Sequence, residues 1–150
     1  MTFEPRDPSF ASRVRSSFER QKVMAEIGAR LIEVEPGEVA IEFPFQERFT
    51  QQHGFLHAGI VSTVLDSASG YAAATLMPAD SGVLSIEFKV NLLTPAVGET
   101  FVARASVVRS GRTITVTQGS VFTEREGREI RVATMQATMM TVENRDGIQG

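Results

Sequence analysis

The 150-residue chain contains no cysteine, which excludes disulfides, thiolate nucleophiles and cysteine-built metal sites. Nor does it carry a basic footprint. Its 15 Lys and Arg are scattered among 18 Asp and Glu, for a net charge of −3, so no nucleic-acid partner is expected. The first residues, MTFEPRDPSF, have neither the basic start nor the apolar run of a signal peptide, which predicts a cytoplasmic protein. Charge is scarcest between Ala58 and Met77, where Asp66 is the single charged residue before Pro78 ends the run. A helix apolar on all sides must be surrounded. Its many small and hydroxyl residues, together with the carboxylate, favour burial in protein over a bilayer, and no membrane partner is expected.

The length and the 42% hydrophobic content suit one domain over residues 1–150. Residues 1–8, with Pro5 and Pro8, form an irregular lead-in. Ser9 can cap a helix in which Phe10, Val14, Phe18, Met24 and Ile27 recur at helical spacing. Its polar side, with Arg13, Arg15, Glu19, Arg20 and Lys22, reads as a solvated face. From Arg30 the period becomes alternating: Leu31 to Val34, the Pro36-Gly37 turn, then Val39, Ile41, Phe43 and Phe45. After the apolar helix come four more alternating runs, Leu84–Leu92, Phe101–Val107, Ile114–Phe122 and Ile130–Met140, separated by turn sequences. A flexible tail is expected at 143–150. Short connections favour antiparallel pairing, so the pattern predicts an α+β fold in which about six strands enclose the helix. A second copy of the chain is the simplest cover for whatever surface remains.

Asp66 is the conspicuous residue. An ionised carboxylate in apolar surroundings costs several kcal/mol in effective terms, so it lies either on a polar stripe with a partner or in a cleft as acid, base or nucleophile. His53-Gly54-Phe55-Leu56-His57-Ala58-Gly59 leads into the helix, and free N–H groups there would polarise a carbonyl oxygen. The two histidines are four apart, but Gly54 argues against a shared helix face and no third ligand is evident, so no metal is expected. Asp66 lies eight residues past Ala58, about 12 Å along one helix. One carbonyl cannot touch both, so a site using both must combine two copies packed about a two-fold axis.

GFLHAGIVSTVLDSASGYAA, followed by SIEFKVNLLTPA and VVRSGRT, resembles the PaaI-type acyl-CoA thioesterases of the hotdog-fold superfamily, from about Phe49 to the end of the chain. The resemblance implies a hotdog fold, a curved antiparallel sheet wrapped around the central helix; the N-terminal amphipathic helix is read from its own spacing. The resemblance also implies homodimers usually paired into tetramers, and hydrolysis of an acyl-CoA thioester without a further cofactor, coenzyme A being part of the substrate. By residue, it makes Asp66 the catalytic carboxylate, as base or nucleophile, and Ala58 the amide donor, with the Gly59 N–H of the same helix entrance as a second candidate donor. His57 would hold the turn, Gln51 would stand where relatives have a positioning asparagine, and Ser85 would help orient water. Arg109 and Arg112 would lie near the coenzyme A phosphates. Phe55 and Leu56, with Tyr71 and Met77, are candidates for lining an acyl pocket or for the core. An enoyl-thioester hydratase and a non-catalytic acyl-CoA sensor are the alternatives.

Overall fold

The computed structural model describes residues 2–150. Helix α1 (Phe10–Glu19) and helix α2 (Lys22–Ile27) precede strands β1 (Arg30–Glu35) and β2 (Glu38–Pro44). A short 3-10 turn (Glu47–Phe49) leads to helix α3 (Ala58–Ala74), and strands β3 (Ser81–Leu92), β4 (Thr100–Ser110), β5 (Ile114–Arg125) and β6 (Arg128–Glu143) complete the chain. All six strands form one antiparallel sheet in the order β1-β2-β4-β5-β6-β3. Every strand from β2 to β6 packs on α3. This is the α+β arrangement of a sheet around a helix that the periodicities predict.

Residue size explains why the helix sits where it does. The inward positions of the central strands are small: Ala103 and Ala105 on β4 pair with Val121 and Gly119 on β5. Larger side chains flank them, and Phe43 stacks on its cross-strand partner Phe101 with ring centres 5.4 Å apart. Gly119 marks the closest approach. A Cβ there would lie 2.8 Å from Leu65 Cδ1 of α3 and 3.0 Å from the Arg104 carbonyl oxygen.

Three expectations for the N-terminal region need correction. The predicted single helix is broken at Gln21, whose backbone is extended (φ −82°, ψ 98°). Ser9 makes no side-chain cap; instead its N–H donates to Asp7 Oδ1 at 2.8 Å. Arg13 does not belong to a solvated face either. Its side chain is only 11% exposed, pairs through Nε with Asp7 Oδ2 at 2.8 Å, and donates through Nη2 to the carbonyls of Ala74 and Met77. It thereby caps the C-terminal end of α3, where a cation is favourable. The hydrophobic period of α1 was legible, but a long-range partner for one arginine on its polar side was not. At the other end of the chain, Ile148 packs on Gly82, and Gly150 N–H donates to Ser81 O at 3.0 Å.

The Arg13 guanidinium and the Ser9 amide hold the Asp7 carboxyl below its ordinary value. A depressed carboxyl pKa stabilises the fold fully above the unfolded-state value, and that contribution disappears as pH falls through the folded value. Asp7→Asn should therefore lower the melting temperature at pH 7, with the gap to the parent closing below about pH 4; thermal unfolding across pH checks this. Gly119→Ala should destabilise the protein by about 1–3 kcal/mol in urea unfolding, because Leu65 and the Arg104 backbone have to give way.

Candidate active site

The loop before α3 is held at both ends. Gln51 N–H donates to Phe55 O and Gly54 N–H to Gln51 O, closing a turn around Gly54 (φ +82°). His57 N–H donates to Phe49 O and Leu56 N–H to Ala96 O. These bonds deliver His57 to the N-cap of α3, where its Nδ1 accepts from Gly59 N–H at 2.8 Å. The tautomer is thereby fixed, with Nδ1 as acceptor. A Cβ at position 59 would stand 3.0 Å from Nδ1, so any larger residue there would push the imidazole by a few tenths of an ångström. Ile60 and Val61 N–H both reach His57 O. Ala58 N–H, among the described residues, is the first-turn amide left without an acceptor.

The two expected amide donors thus differ: the Gly59 amide is engaged by the cap, while the Ala58 amide is free. Ala58 borders a cavity of about 440 Å³ with Gln51, Phe55, Leu56 and His57, together with Leu92 at the end of β3 and Leu93 just beyond it. The Gln51 carboxamide oxygen accepts from His53 N–H, so part of this side chain is occupied in shaping the loop. His53 itself is exposed in that turn, away from the capping task of His57.

Asp66 lies two turns further along α3, half-buried. Ser85 Oγ of β3 donates to its Oδ1 at 2.7 Å, leaving Oδ2 without a partner among the described residues. The polar stripe Ser62, Thr63, Asp66 and Ser67 is partly exposed, so α3 is not enclosed on all sides by its own chain. Asp66 and Ser85 open on a second cavity of about 410 Å³, bordered by Gln21, Ser67, Gly70 and Tyr71. The two cavities share no residue. Within one chain, the free amide and the carboxylate serve different clefts.

Gln21 was not visible as a site residue in the sequence. The helix break turns its side chain onto α3, where Nε2 donates to Tyr71 Oη at 3.0 Å and Oε1 accepts from Ser67 Oγ at 2.8 Å. No local signal marks such a contact across 46 residues. Arg109 and Arg112, by contrast, are exposed at the β4–β5 hairpin and border neither of these cavities.

Residues 53–130, which include Ala58, Asp66 and Ser85, match the family model described as the Thioesterase superfamily. The chain belongs to the Thioesterase superfamily. A family protein from Silicibacter pomeroyi is 54% identical and superimposes with a TM-score of 0.88, covering 90% of this chain and 99% of that one. The E. coli PaaI protein, from the phenylacetic acid degradation operon, has a TM-score of 0.81 at 16% identity over 94% of this chain and 96% of its own. The hotdog fold expected from the sequence is therefore the fold observed. Human acyl-coenzyme A thioesterase 13 is 30% identical over 101 residues, 67% of this chain and 71% of that protein.

The cap can be tested apart from any chemistry. His57→Ala removes the acceptor for Gly59 N–H and should cost about 1 kcal/mol, a fall of about 2–4 °C in melting temperature for a chain of this size. His57→Asn, which restores an N-cap acceptor, should recover most of that loss.

Proposed function

We propose that this protein hydrolyses acyl-CoA thioesters at sites built from two copies of the chain. The observation that carries the reading is the pairing of one free helix-entrance amide, Ala58, with one half-bonded carboxylate, Asp66, on separate cavities of the same helix. Family membership supports thioester chemistry, and the name of the human relative supports coenzyme A as the carrier.

Strand β3 supplies a way to join the halves. It is an edge strand that exposes Ile86 at 50% and Phe88 at 43%, an arrangement that invites pairing with another strand. Ser85, near its start, holds Asp66, while Leu92, at its end, borders the Ala58 cavity. Antiparallel pairing of two β3 strands about a two-fold axis near Phe88 puts the start of each beside the end of the other. Asp66 of one copy then faces the Ala58 cavity of its partner.

In that site the thioester oxygen accepts from Ala58 N–H, in the preorganised geometry of an oxyanion hole. Asp66 Oδ2 removes a proton from water as the water oxygen bonds to the carbonyl carbon. Collapse of the tetrahedral intermediate breaks the carbon–sulfur bond, and the proton passes from Asp66 to the departing sulfur. Free acid and coenzyme A leave. Ser85 keeps the other carboxylate oxygen fixed throughout.

Asp66→Asn should abolish most turnover of acyl-CoA while leaving the dimer intact; parent-level hydrolysis by this variant would refute the assignment. Ala58→Pro deletes the amide donor at a helix position where proline is favoured. The preceding His57, at φ −61° and ψ 137°, already has the conformation that proline requires. Its kcat should fall by about 10²–10³. Mixing the two inactive variants and allowing exchange should restore about a quarter of parental activity, because half the dimers are mixed and each mixed dimer has one complete site. Absence of recovery in demonstrably mixed dimers would count against a shared site.

A further inference from the structure

The free edge of β3 limits how a second copy can join it. Thr141 N–H of β6 donates to Thr113 O at 2.8 Å, so alternate residues of β6 counted from Thr141 point at β5, and Val142, Met140 and Thr138 between them point at β3. These pair with Gly82, Leu84 and Glu87. Ser81, Val83 and Ser85 therefore turn their N–H and C=O groups to the free edge. The bulge between Ser85 and Glu87 resets the alternation, and the outward series continues with Phe88, Val90 and Leu92.

That series allows two antiparallel registers about a two-fold axis. With the axis at Phe88, Phe88 pairs with its own copy, Ser85 with Val90 and Val83 with Leu92, leaving only Ser81 over. With the axis at Glu87, Ser85 pairs with Phe88, Val83 with Val90 and Ser81 with Leu92, so every outward residue is used. The facing Glu87 carboxylates oppose this second register, but it forms one more hydrogen-bonded pair.

Ser81 is already occupied. After β6 the chain turns back, Ile148 N–H donating to Arg145 O at 3.2 Å, and Gly150 N–H donates to Ser81 O at 3.0 Å. A Cβ at Gly82 would lie 2.6 Å from Ile148 Cγ2 and 3.2 Å from the Ile148 carbonyl carbon. Glycine inside a strand is ordinarily a weakness; here it makes the seat for this crossing. Residues 147–150 also border the Asp66 cavity, which places them beside the site they would set.

We propose that residues 144–150 act as a register stop for the two-fold pair, with Ile148 as the positioning residue that seats them. With Ser81 taken, the register centred on Phe88 is the one that remains. Slipping to the Glu87 register slides one strand past the other by two residues, about 7 Å, and carries Asp66 away from the Ala58 cavity of the partner copy. Resting on the two-copy reading above, this adds what holds the shared site in alignment.

Because the chain has no cysteine, a single introduced thiol reports the register. Phe88→Cys brings two thiols together across the axis in the first register and Glu87→Cys does so in the second, since directly opposed residues have Cα atoms about 4.5–5.5 Å apart, within disulfide reach. On oxidation, dimers with the seat intact should crosslink through Phe88→Cys and not through Glu87→Cys. Adding Ile148→Gly, which empties the seat, or Gly82→Ala, which fills it, should make the Glu87→Cys protein crosslink. Without an introduced cysteine, each of these two variants should lose about tenfold or more in kcat/KM for acyl-CoA, while Ile148→Val should match the parent. Crosslinking through Glu87→Cys with the seat intact would overturn the register stop. Crosslinking through Phe88→Cys alone in the disrupted variants would also overturn it, whatever their activity, and would leave the shared site standing. Crosslinking at neither position in any variant would refute the β3 pairing on which both readings rest.

Discussion

The contact between Leu65 and the bare backbone at Gly119 sets the depth at which α3 rests in the sheet, and most other features of the molecule depend on that depth. Burying apolar surface between helix and sheet is the dominant favourable term in such a layer, and small inward residues on β4 and β5 let the two surfaces approach closely. The helix then turns its apolar side inward and leaves Ser62, Thr63, Asp66 and Ser67 on the partly exposed stripe. Asp66 avoids the full desolvation penalty of a buried carboxylate because it sits on that stripe with a hydroxyl donor. The acid is thus placed by packing around it and held by one bond from β3.

Much of this was legible in the sequence because it follows from short periods. Alternation located the strands, and a nearly uncharged run closed by proline located α3. The start of that helix at Ala58 follows from the junction of a glycine-containing loop with an apolar run. The site was legible in part for the same reason: an acid in the middle of such a helix stands out, and its separation from the helix entrance is fixed by helical rise. Family resemblance supplied Ser85, whose bond to Asp66 spans 19 residues.

The misreadings share a cause, which is that side-chain partners distant in sequence leave no periodic trace. Arg13 looked like one of several surface cations until the carbonyls of Ala74 and Met77 came within its reach. Gln21 looked like a helix interior, yet it is the point at which the helix gives way so that its carboxamide can reach Ser67 and Tyr71. Ala58 and Gly59 were both candidate amide donors. They differ because the histidine nitrogen at the cap has one lone pair to offer and the geometry directs it to Gly59.

Arg13 has an electrical consequence for the far end of the helix it caps. A helix carries a partial positive pole at its amide end and a partial negative pole at its carbonyl end. In α3 the negative pole lies against a guanidinium, itself balanced by Asp7, while the positive pole at Ala58 faces an open cleft. The helix is in effect grounded at one end. An electron-rich oxygen arriving at Ala58 meets a potential only weakly opposed from behind, although the residues that arrange this belong to a segment that enters neither the sheet nor the cleft.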